Sequence, residues 1–481
     1  MKDVISIRDF SRQELIALIQ EALKRKKNHK ILSSKNKVAS LFFENSTRTR
    51  VSSETAAENL GLYINGFAGA ESTSVKKGEP LADTVRMFEG YNYDGIIMRH
   101  NLEGAARFAS DNLSIPLING GDGSGSHPTQ TMLDLMTIKE AMNKIDGLKI
   151  AMVGDLKNGR TVHSLLQALK LFDVEVWLVS PKNLSMSQWR IDDYEKPIKF
   201  TEDLMEAITN VDVLYMTRIQ RERFPEGPEG DYEYQKVSGI YNLNAEMLKK
   251  AKDSLIVMHP LPRYKHNMEI SLDVDKTKHA KYLEQARNGM YMREAILARV
   301  FGKGFKNKKS EEKEKPLWKD LKITNGRKKG ENLLYRIDNG TLIDHIEPGK
   351  GEAVMKVLSL NEYQETPMIY AKNLRSANFK MKDVIGIKDK ELNEEDLSKL
   401  ALVSSNATIN IIRDSSVYRK GKVILPTVLK GLIQCNNLNC ISRPEHHEHV
   451  PSKFYVENRD KLKVRCHYCE KTMTREEIRL K

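Results

Sequence analysis

Four consecutive polar residues, Ser46-Thr-Arg-Thr49, are the clearest candidate for a small-molecule site in this sequence. They follow an apolar stretch at 38–43 that predicts a short buried strand, and they begin a stretch that favours a helix ending at Leu60. The start of a helix carries unpaired N–H groups and a partial positive charge, so it attracts anions. Hydroxyls and a guanidinium at this place suit a phosphate group. On this stretch alone, an ordinary helix N-cap beside an incidental arginine is an equally good interpretation.

Strands, loops and helices alternate over about the first 300 residues. This alternation is typical of doubly wound parallel sheets, in which ligands bind beyond the carboxyl ends of the strands. Two such runs, before and after about residue 130, predict two α/β domains that face a cleft. Several polar or backbone groups come directly after a predicted strand, so one site could collect them: Ser46 to Thr49, Arg99, His127, Arg160, Arg218 and Leu261.

The cysteines predict a metal site near the C-terminus. Two close pairs, separated by a β-rich stretch, match a tetrahedral four-thiolate zinc site, and four protein ligands leave no position open for catalysis. A disulfide is the alternative, but nothing else suggests export, and the cytosol keeps thiols reduced. We therefore predict one structural Zn²⁺ per chain, held by Cys435, Cys440, Cys466 and Cys469. The neighbouring histidines are interpreted as surplus surface residues: His446, His447, His449 and His467.

Length and charge set the broad class. A chain of 481 residues predicts three or four domains. The formal net charge of +13 suits anionic partners, either nucleic acid or small phosphates and carboxylates. The N-terminus is charged and no window is apolar enough to span a membrane, so we expect a cytoplasmic protein without a membrane partner. Residues 302–332 are dense in Lys and Glu and predict a solvated linker; the mixed signs disfavour a nucleic-acid tail.

Two motifs point to other functions and are discounted. The stretch from Gly154 to Thr161 nearly matches the phosphate-binding loop of nucleotide hydrolases, but Arg160 replaces its lysine and no acidic metal-binding partner is evident. The cysteines and the basic composition also suit a zinc ribbon that binds nucleic acid. That segment lacks an aromatic stacking series and a basic recognition helix, so nucleic acid is not an expected partner.

Six motifs, in order along the chain, resemble the carbamoyltransferases, and more narrowly the catalytic chain of aspartate carbamoyltransferase over residues 1 to about 302. The ornithine relatives differ at the last two motifs. The six are Phe43-Glu-Asn-Ser-Thr-Arg-Thr-Arg50, Met98-Arg-His100, His127-Pro-Thr-Gln130, Gly159-Arg-Thr-Val-His163, Met216-Thr-Arg-Ile-Gln220 and His259-Pro-Leu-Pro-Arg263. Residues 333–481 resemble the regulatory chain of the bacterial aspartate enzyme, through Arg336 to Ile346 and the four cysteines. The chain thus resembles a catalytic–regulatory fusion.

The resemblance implies a domain order. A carbamoyl-phosphate-binding domain would cover 1–130, completed by a return helix at 285–301, and an aspartate-binding domain would cover 131–284. After the linker, an α+β domain of the nucleotide-binding regulatory type would cover 333–426. A small β-rich zinc domain would end the chain at 427–481.

The resemblance also implies the reaction: carbamoyl transfer from carbamoyl phosphate to L-aspartate in pyrimidine biosynthesis, by a homo-oligomer built from trimers, with no catalytic metal or organic cofactor. The implied carbamoyl-phosphate ligands are Ser46, Thr47, Arg48, Thr49, Arg99, His127, Gln130 and the backbone of Leu261 and Pro262. Among them Arg48, Thr49, Arg99 and His127 would be catalytic. The implied aspartate ligands are Arg160, Thr161, Arg218, Gln220, Ser74 and Lys77. In the family, a serine and a lysine at the last two positions often serve the neighbouring subunit, and Ser72 is an alternative to Ser74. The bland alternative for Arg160 and Arg218 is a surface ion pair.

A regulatory nucleotide site is implied only incompletely. Asp344, His345, Asn410 and Lys420 match the family's contacts, but a second lysine falls on Gly386. Lys388, two residues on, would point to the same face of a strand and could replace it. We therefore expect weak binding of CTP or ATP. The competing class is a zinc-ribbon binding or regulatory protein with an inactive transferase-like domain; the intact set of arginines and His127 argues against it.

Overall fold

The computed structural model describes residues 3–28, 31–32, 35–221, 224–265, 268–302, 317–323, 337–360, 367–376 and 380–480. The charged run of the predicted linker, 303–316, lies outside the described residues. The chain divides into two compact units. Unit 1 comprises Met1–Lys309, Asn437–Val450 and Tyr468–Lys471, and unit 2 comprises Ser310–Asn436, Pro451–His467 and Thr472–Lys481.

Unit 1 contains two parallel sheets. The first has the order β2-β1-β3-β4, formed by β1 (Lys37–Phe42), β2 (Tyr63–Ala68), β3 (Gly95–His100) and β4 (Leu117–Asp122). The second has the order β7-β6-β5-β8-β9, formed by β5 (Lys149–Val153), β6 (Glu175–Val179), β7 (Ile198–Thr201), β8 (Val213–Met216) and β9 (Ile256–Met258). The predicted pair of doubly wound domains is confirmed.

Helices connect these strands. They are α1 (Arg12–Lys27), α2 (Thr47–Asn59), α3 (Leu81–Gly90), α4 (Ala105–Asp111), α5 (Pro128–Met142), α6 (Arg160–Leu169), α7 (Gln188–Ile191), α8 (Leu204–Asn210), α9 (Pro228–Val237), α10 (Ala245–Leu248) and α11 (Tyr282–Phe301). Helix α11 packs on α1, α2 and α5. Helix α5 runs without a break through residues 130 and 131, where the sequence placed the domain boundary.

Local sequence explains why these elements form. Ser11 and Glu14 close a reciprocal capping box at the start of α1, with the Ser11 N–H donating to Glu14 at 2.8 Å. Strand β1 is buried along nearly its whole length, which is usual for a central parallel strand covered by helices on both faces. Strand β1 is followed directly by helix α2, so the polar residues between them lie at the carboxyl edge of the first sheet.

Unit 2 is built mainly from antiparallel strands. Its largest sheet has the order β10-β15-β14-β11-β13-β12, formed by β10 (Trp318–Asp320), β11 (Gly340–Ile346), β12 (Met368–Ser376), β13 (Lys380–Lys388), β14 (Thr408–Arg413) and β15 (Ser416–Val423). Its helices are α12 (Gly351–Val357) and α13 (Glu394–Val403). The expected α+β domain is therefore present. Strand β10 lies inside the predicted linker and pairs with β15, which the sequence did not indicate.

The C-terminal region is β-rich, as expected. A four-stranded sheet has the order β16-β18-β19-β20, and a separate pair joins β17 to β21. Their bounds are β16 (Val428–Lys430), β17 (Ile433–Gln434), β18 (Lys453–Asn458), β19 (Lys463–Cys466), β20 (Thr472–Met473) and β21 (Arg479–Leu480). Across the described part of the chain, no helix has both the length and the apolar character needed to cross a membrane.

Candidate active site

A cavity of about 420 Å³ opens in unit 1 at the carboxyl ends of strands from both parallel sheets. Its lining includes every predicted substrate residue except Ser74 and Lys77: Ser46, Thr47, Arg48, Thr49, Arg99, His127, Gln130, Arg160, Thr161, Arg218, Gln220, Leu261 and Pro262. Ser74 to Lys77 form a short 3-10 turn, and both of the predicted side chains are exposed. The structure therefore places those two outside the lining.

The start of α2 carries the predicted anion cradle. Ser46 occupies the N-cap position with extended backbone angles, yet among the described residues its side chain makes no capping hydrogen bond. The ordinary N-cap interpretation required that bond. The Ser46 hydroxyl and the first N–H groups of the helix can therefore be offered to a ligand in the cavity.

Two arginines of the cavity repel each other. Burial lowers the pKa of Arg48, and the nearby Arg218 cation lowers it further. Arg48 comes from α2, whereas Arg218 follows β8, so the two-domain fold brings together cations that are far apart in the sequence. Like charges in a partly buried site favour an anion between them.

Glu44 lines the cavity, although the sequence analysis did not single it out. Its carboxylate accepts from Arg99 Nη2 at 2.6 Å, and from Arg160 Nη2 at 3.0 Å and Nη1 at 3.2 Å. Burial alone would raise the pKa of Glu44, but Arg160 and then Arg99 outweigh it and hold the pKa at about 2. A carboxylate two residues before the cradle was the available signal, because a cluster of cations needs a counter-charge.

His127 is buried and uncharged. Its backbone N–H donates to Ser164 Oγ at 2.9 Å at the start of α5. Burial lowers the pKa of His127 well below its usual 6.5, and the cations of Arg160, Arg99 and Arg293 lower it further. At neutral pH the imidazole can therefore donate one N–H to a ligand without carrying charge.

Arg293 is a second residue that the sequence reasoning missed. It lies on α11, lines the cavity and is almost fully buried. Burial lowers its pKa to about 10, so it remains a cation at neutral pH. Its Nη1 donates to the Gly289 carbonyl at 2.9 Å. Arg293 adds positive charge beside His127, and no spacing in the sequence marked it.

The four cysteines form a compact cluster. Their Sγ atoms all lie within 4.8 Å of one another, and all four residues are buried and free of disulfides. A tetrahedral site with metal–sulfur bonds of about 2.3 Å needs sulfur atoms about 3.8 Å apart, so the cluster fits a four-thiolate metal site. Of the surplus histidines, His467 is not on the surface as expected: it is buried and its Nδ1 lies 2.8 Å from Tyr455 Oη.

Three of the four predicted nucleotide residues, Asp344, Asn410 and Lys420, share one face of the large sheet in unit 2. Gly386 pairs with Leu342, Leu342 with Asn410, and Asn410 with Lys420, so these positions form one row across four strands. Asp344, two residues beyond Leu342, lies on the same face. It is paired with Lys382 at 2.8 Å and contacts His345 at 3.2 Å. Gly386 leaves a position without a side chain in this row.

Family comparisons agree with both halves of this description. Two domain models of the family match consecutive stretches: the aspartate/ornithine carbamoyltransferase carbamoyl-P binding domain over residues 2–140, and the Asp/Orn binding domain over 146–300. The chain belongs to the aspartate carbamoyltransferase family. The regulatory-chain allosteric domain matches 333–424 and the regulatory-chain metal binding domain matches 427–479. The chain is thus a carbamoyltransferase that carries catalytic and regulatory domains in one polypeptide.

Individual relatives cover the catalytic part. The catalytic subunit from Thermococcus kodakarensis is 52% identical over 309 residues, which is 63% of this chain and 97% of the relative. That from Archaeoglobus fulgidus is 49% identical over 306 residues, covering 62% and 99%. Among solved structures, the Trypanosoma cruzi enzyme in complex with carbamoyl phosphate has a TM-score of 0.57 at 38% identity, covering 62% of this chain and 95% of that one. The M. jannaschii catalytic subunit has a TM-score of 0.56 at 46% identity, covering 62% and 98%.

Proposed function

We propose that this protein transfers the carbamoyl group of carbamoyl phosphate to L-aspartate, giving N-carbamoyl-L-aspartate and phosphate, as a step of pyrimidine biosynthesis. The observation that carries the proposal is a single cavity that combines a helix-start anion cradle with separate arginines from the second sheet. One substrate with a phosphate and another with two carboxylates together require such an arrangement. Solved relatives in complex with carbamoyl phosphate and aspartate support this pairing.

The first substrate would bind at the start of α2. Ser46, Thr47, Arg48 and Thr49 would hold the phosphate, with Arg99 beside them. Thr49, Arg99 and His127 would meet the carbonyl oxygen, where negative charge develops during attack. Preoriented donors at that atom stabilise the transition state more than the ground state. Neutral His127 suits this role, because an uncharged N–H donor adds no further repulsion among the surrounding arginines.

The second substrate would bind through its two carboxylates. Arg160, Thr161, Arg218 and Gln220 would hold them, and Ser74 and Lys77 would come from a neighbouring subunit of a trimer. The attacking amine must be neutral, and the leaving phosphate can accept its proton. The reaction then depends on positioning and electrostatics without a covalent enzyme intermediate. Glu44 would hold Arg99 and Arg160 at a fixed separation, so that one carboxylate orients a donor for each substrate.

The proposal extends to the second half of the chain. The ion of the cysteine cluster would be one Zn²⁺ per chain with a structural role, since four thiolates complete its coordination. CTP or ATP would bind weakly at Asp344, His345, Asn410 and Lys420, because Gly386 supplies no cation. Reduced cysteines agree with a cytoplasmic location.

The test is an activity assay with matched arginine variants. The purified chain should form N-carbamoyl-L-aspartate from carbamoyl phosphate and L-aspartate, and little carbamoylated product with L-ornithine. Loss of a charge-assisted phosphate contact costs about 1.5–3 kcal/mol, so Arg48→Ala should lower kcat/KM for carbamoyl phosphate at least about ten-fold. Arg50→Ala is the control, because Arg50 follows on the same helix and contacts Glu54 outside the cavity lining. Absence of carbamoyl-aspartate, or equal effects of the two substitutions, would overturn the proposal.

A further inference from the structure

Asp134 is a buried carboxylate on α5 to which no role has yet been given. It is completely buried and accepts three side-chain hydrogen bonds. Its Oδ1 accepts from Gln130 Nε2 at 2.8 Å and from Gln285 Nε2 at 2.7 Å, and its Oδ2 accepts from Tyr215 Oη at 2.9 Å. The donors come from α5, α11 and β8, so one carboxylate joins three elements of the two sheet domains.

This geometry decides which way the Gln130 amide points. A glutamine side chain has a donor end and an acceptor end that are nearly the same shape. Because Oδ1 takes both glutamine nitrogens, the Nε2 end of Gln130 must face Asp134, and its Oε1 is the end left for the cavity. Burial raises the pKa of Asp134 to about 7, but a proton on Oδ2, toward Tyr215, would leave Oδ1 as the same acceptor. The orientation therefore holds in both protonation states.

The second glutamine, Gln285, links Asp134 to the backbone on the opposite side of the cavity. With Nε2 on Asp134, Gln285 turns its Oε1 to the backbone N–H of His259, which donates to it at 2.8 Å. His259 Nδ1 in turn accepts from the Leu261 N–H at 2.8 Å. Asp134 thus fixes the backbone that leads into Leu261, a residue that lines the cavity.

We propose that Asp134 is a positioning residue for the carbamoyl amine. It makes Gln130 present an acceptor oxygen to that amine and, through Gln285, holds the turn at Leu261 so that the Leu261 carbonyl can accept from the same amine. This inference rests on the proposed carbamoyl transfer, in which Gln130 and Leu261 bind carbamoyl phosphate, and it adds the role of Asp134. Two N–H bonds of a carbamoyl group need two acceptors, and the Gln130 Oε1 and the Leu261 carbonyl would supply them. Esters and acyl phosphates without such an amine would leave these acceptors unpaired, which disfavours them.

The experiment compares three substitutions in the full chain. Asp134→Leu removes the acceptor while keeping the branched shape of the side chain, and should raise KM for carbamoyl phosphate about ten-fold or more. The inhibition constant of inorganic phosphate should stay within about two-fold, because the phosphate cradle at α2 does not depend on Asp134. Asp134→Asn should retain most of the affinity, since its oxygen can still accept from both glutamines while its amide donates to Tyr215.

Thr137→Val is the control for general damage. One turn further along α5, Thr137 Oγ1 accepts from Asn288 Nδ2 at 3.0 Å, so it makes an equally buried link between the same two helices without lining the cavity. This substitution should lower thermal stability and leave KM for carbamoyl phosphate unchanged. A rise in KM in Thr137→Val equal to that in Asp134→Leu would overturn the proposal.

A double-mutant cycle separates positioning from simple loss of stability. If Asp134 acts through Gln130, Asp134→Leu should change kcat/KM for carbamoyl phosphate much less in a Gln130→Ala background than in the original protein. Fully additive effects would refute the positioning role while leaving carbamoyl transfer intact. An original protein without carbamoyl transfer would instead refute the proposed function, so the two failures are distinguishable.

Discussion

Glu44 offers a direct test of the electrostatics of the cavity through Glu44→Gln. The substitution keeps the shape of the side chain and removes the charge that pairs with two almost buried guanidiniums, Arg99 at 9% and Arg160 at 12% side-chain exposure. One pKa unit corresponds to about 1.4 kcal/mol, so the lowering of the Glu44 pKa from 4.5 to about 2 corresponds to about 3 kcal/mol. Breaking a buried pair by removing one partner typically costs about 3–5 kcal/mol. We therefore expect the free energy of unfolding of unit 1 to fall by about 3 kcal/mol at pH 7.

The pH dependence of this contribution follows from the lowered pKa. The unfolded chain protonates Glu44 near pH 4.5, whereas the folded chain does so only near pH 2, so the stabilisation is present above pH 4.5 and is lost as pH falls through about 2. Urea unfolding can be followed by tryptophan fluorescence in a Trp318→Phe background, where Trp177 and Trp189 remain and both lie in unit 1.

The matched control for Glu44→Gln is Glu206→Gln. Glu206 pairs with Lys199 at 2.6 Å on the surface, where solvent screens the interaction, so its loss should change the urea midpoint only slightly. Equal midpoints for the two variants would refute the claim that the Glu44 carboxylate stabilises the arginine pair.

Four further outcomes are expected. Mixing inactive Arg48→Ala and inactive Lys77→Ala proteins should restore some activity if Lys77 serves a neighbouring subunit; no recovery after verified subunit exchange would contradict this. Strong chelation, or Cys435→Ser, should unfold the metal-binding domain at 427–479 while carbamoyl transfer persists. A folded catalytic part that needed added metal for turnover would show the structural role to be wrong. CTP should shift aspartate saturation curves only slightly, and Gly386→Lys should strengthen the effect; strong inhibition of the original protein at micromolar CTP would contradict the reasoning. Below pH 6.5 histidines of the unfolded chain bind protons, whereas four buried histidines of the folded chain stay neutral, and this lowers stability. The raised pKa values of Asp122 and Asp134, about 6 and 7, act in the opposite sense. The free energy of unfolding, measured by urea titration, should therefore fall on the order of 2–3 kcal/mol per pH unit between about pH 5.5 and 4.5. The histidines concerned are His100, His127, His163 and His259.

The sequence by itself determined the sheet domains and most of the cavity lining. Apolar periodicity and helix-start signals depend on residues only a few positions apart, so they can be recognised in the sequence alone. Parallel strands end at a common edge, and the polar residues after them must then converge; this is why Arg99, His127 and Arg160 could be grouped without coordinates. The spacing of the cysteines likewise predicted a four-thiolate cluster, because few other arrangements use two such pairs.

Only the tertiary structure decided how these groups control one another. Glu44 meets Arg99 and Arg160 across 55 and 116 residues of sequence, and Asp134 meets Gln285 across 151. Strand β10 pairs with β15 although its sequence reads as part of a charged linker. The charge of His127 and the orientation of the Gln130 amide follow from burial and from partners on other elements. Such properties depend on desolvation and on contacts between residues far apart in the sequence, and a local pattern of residues predicts neither.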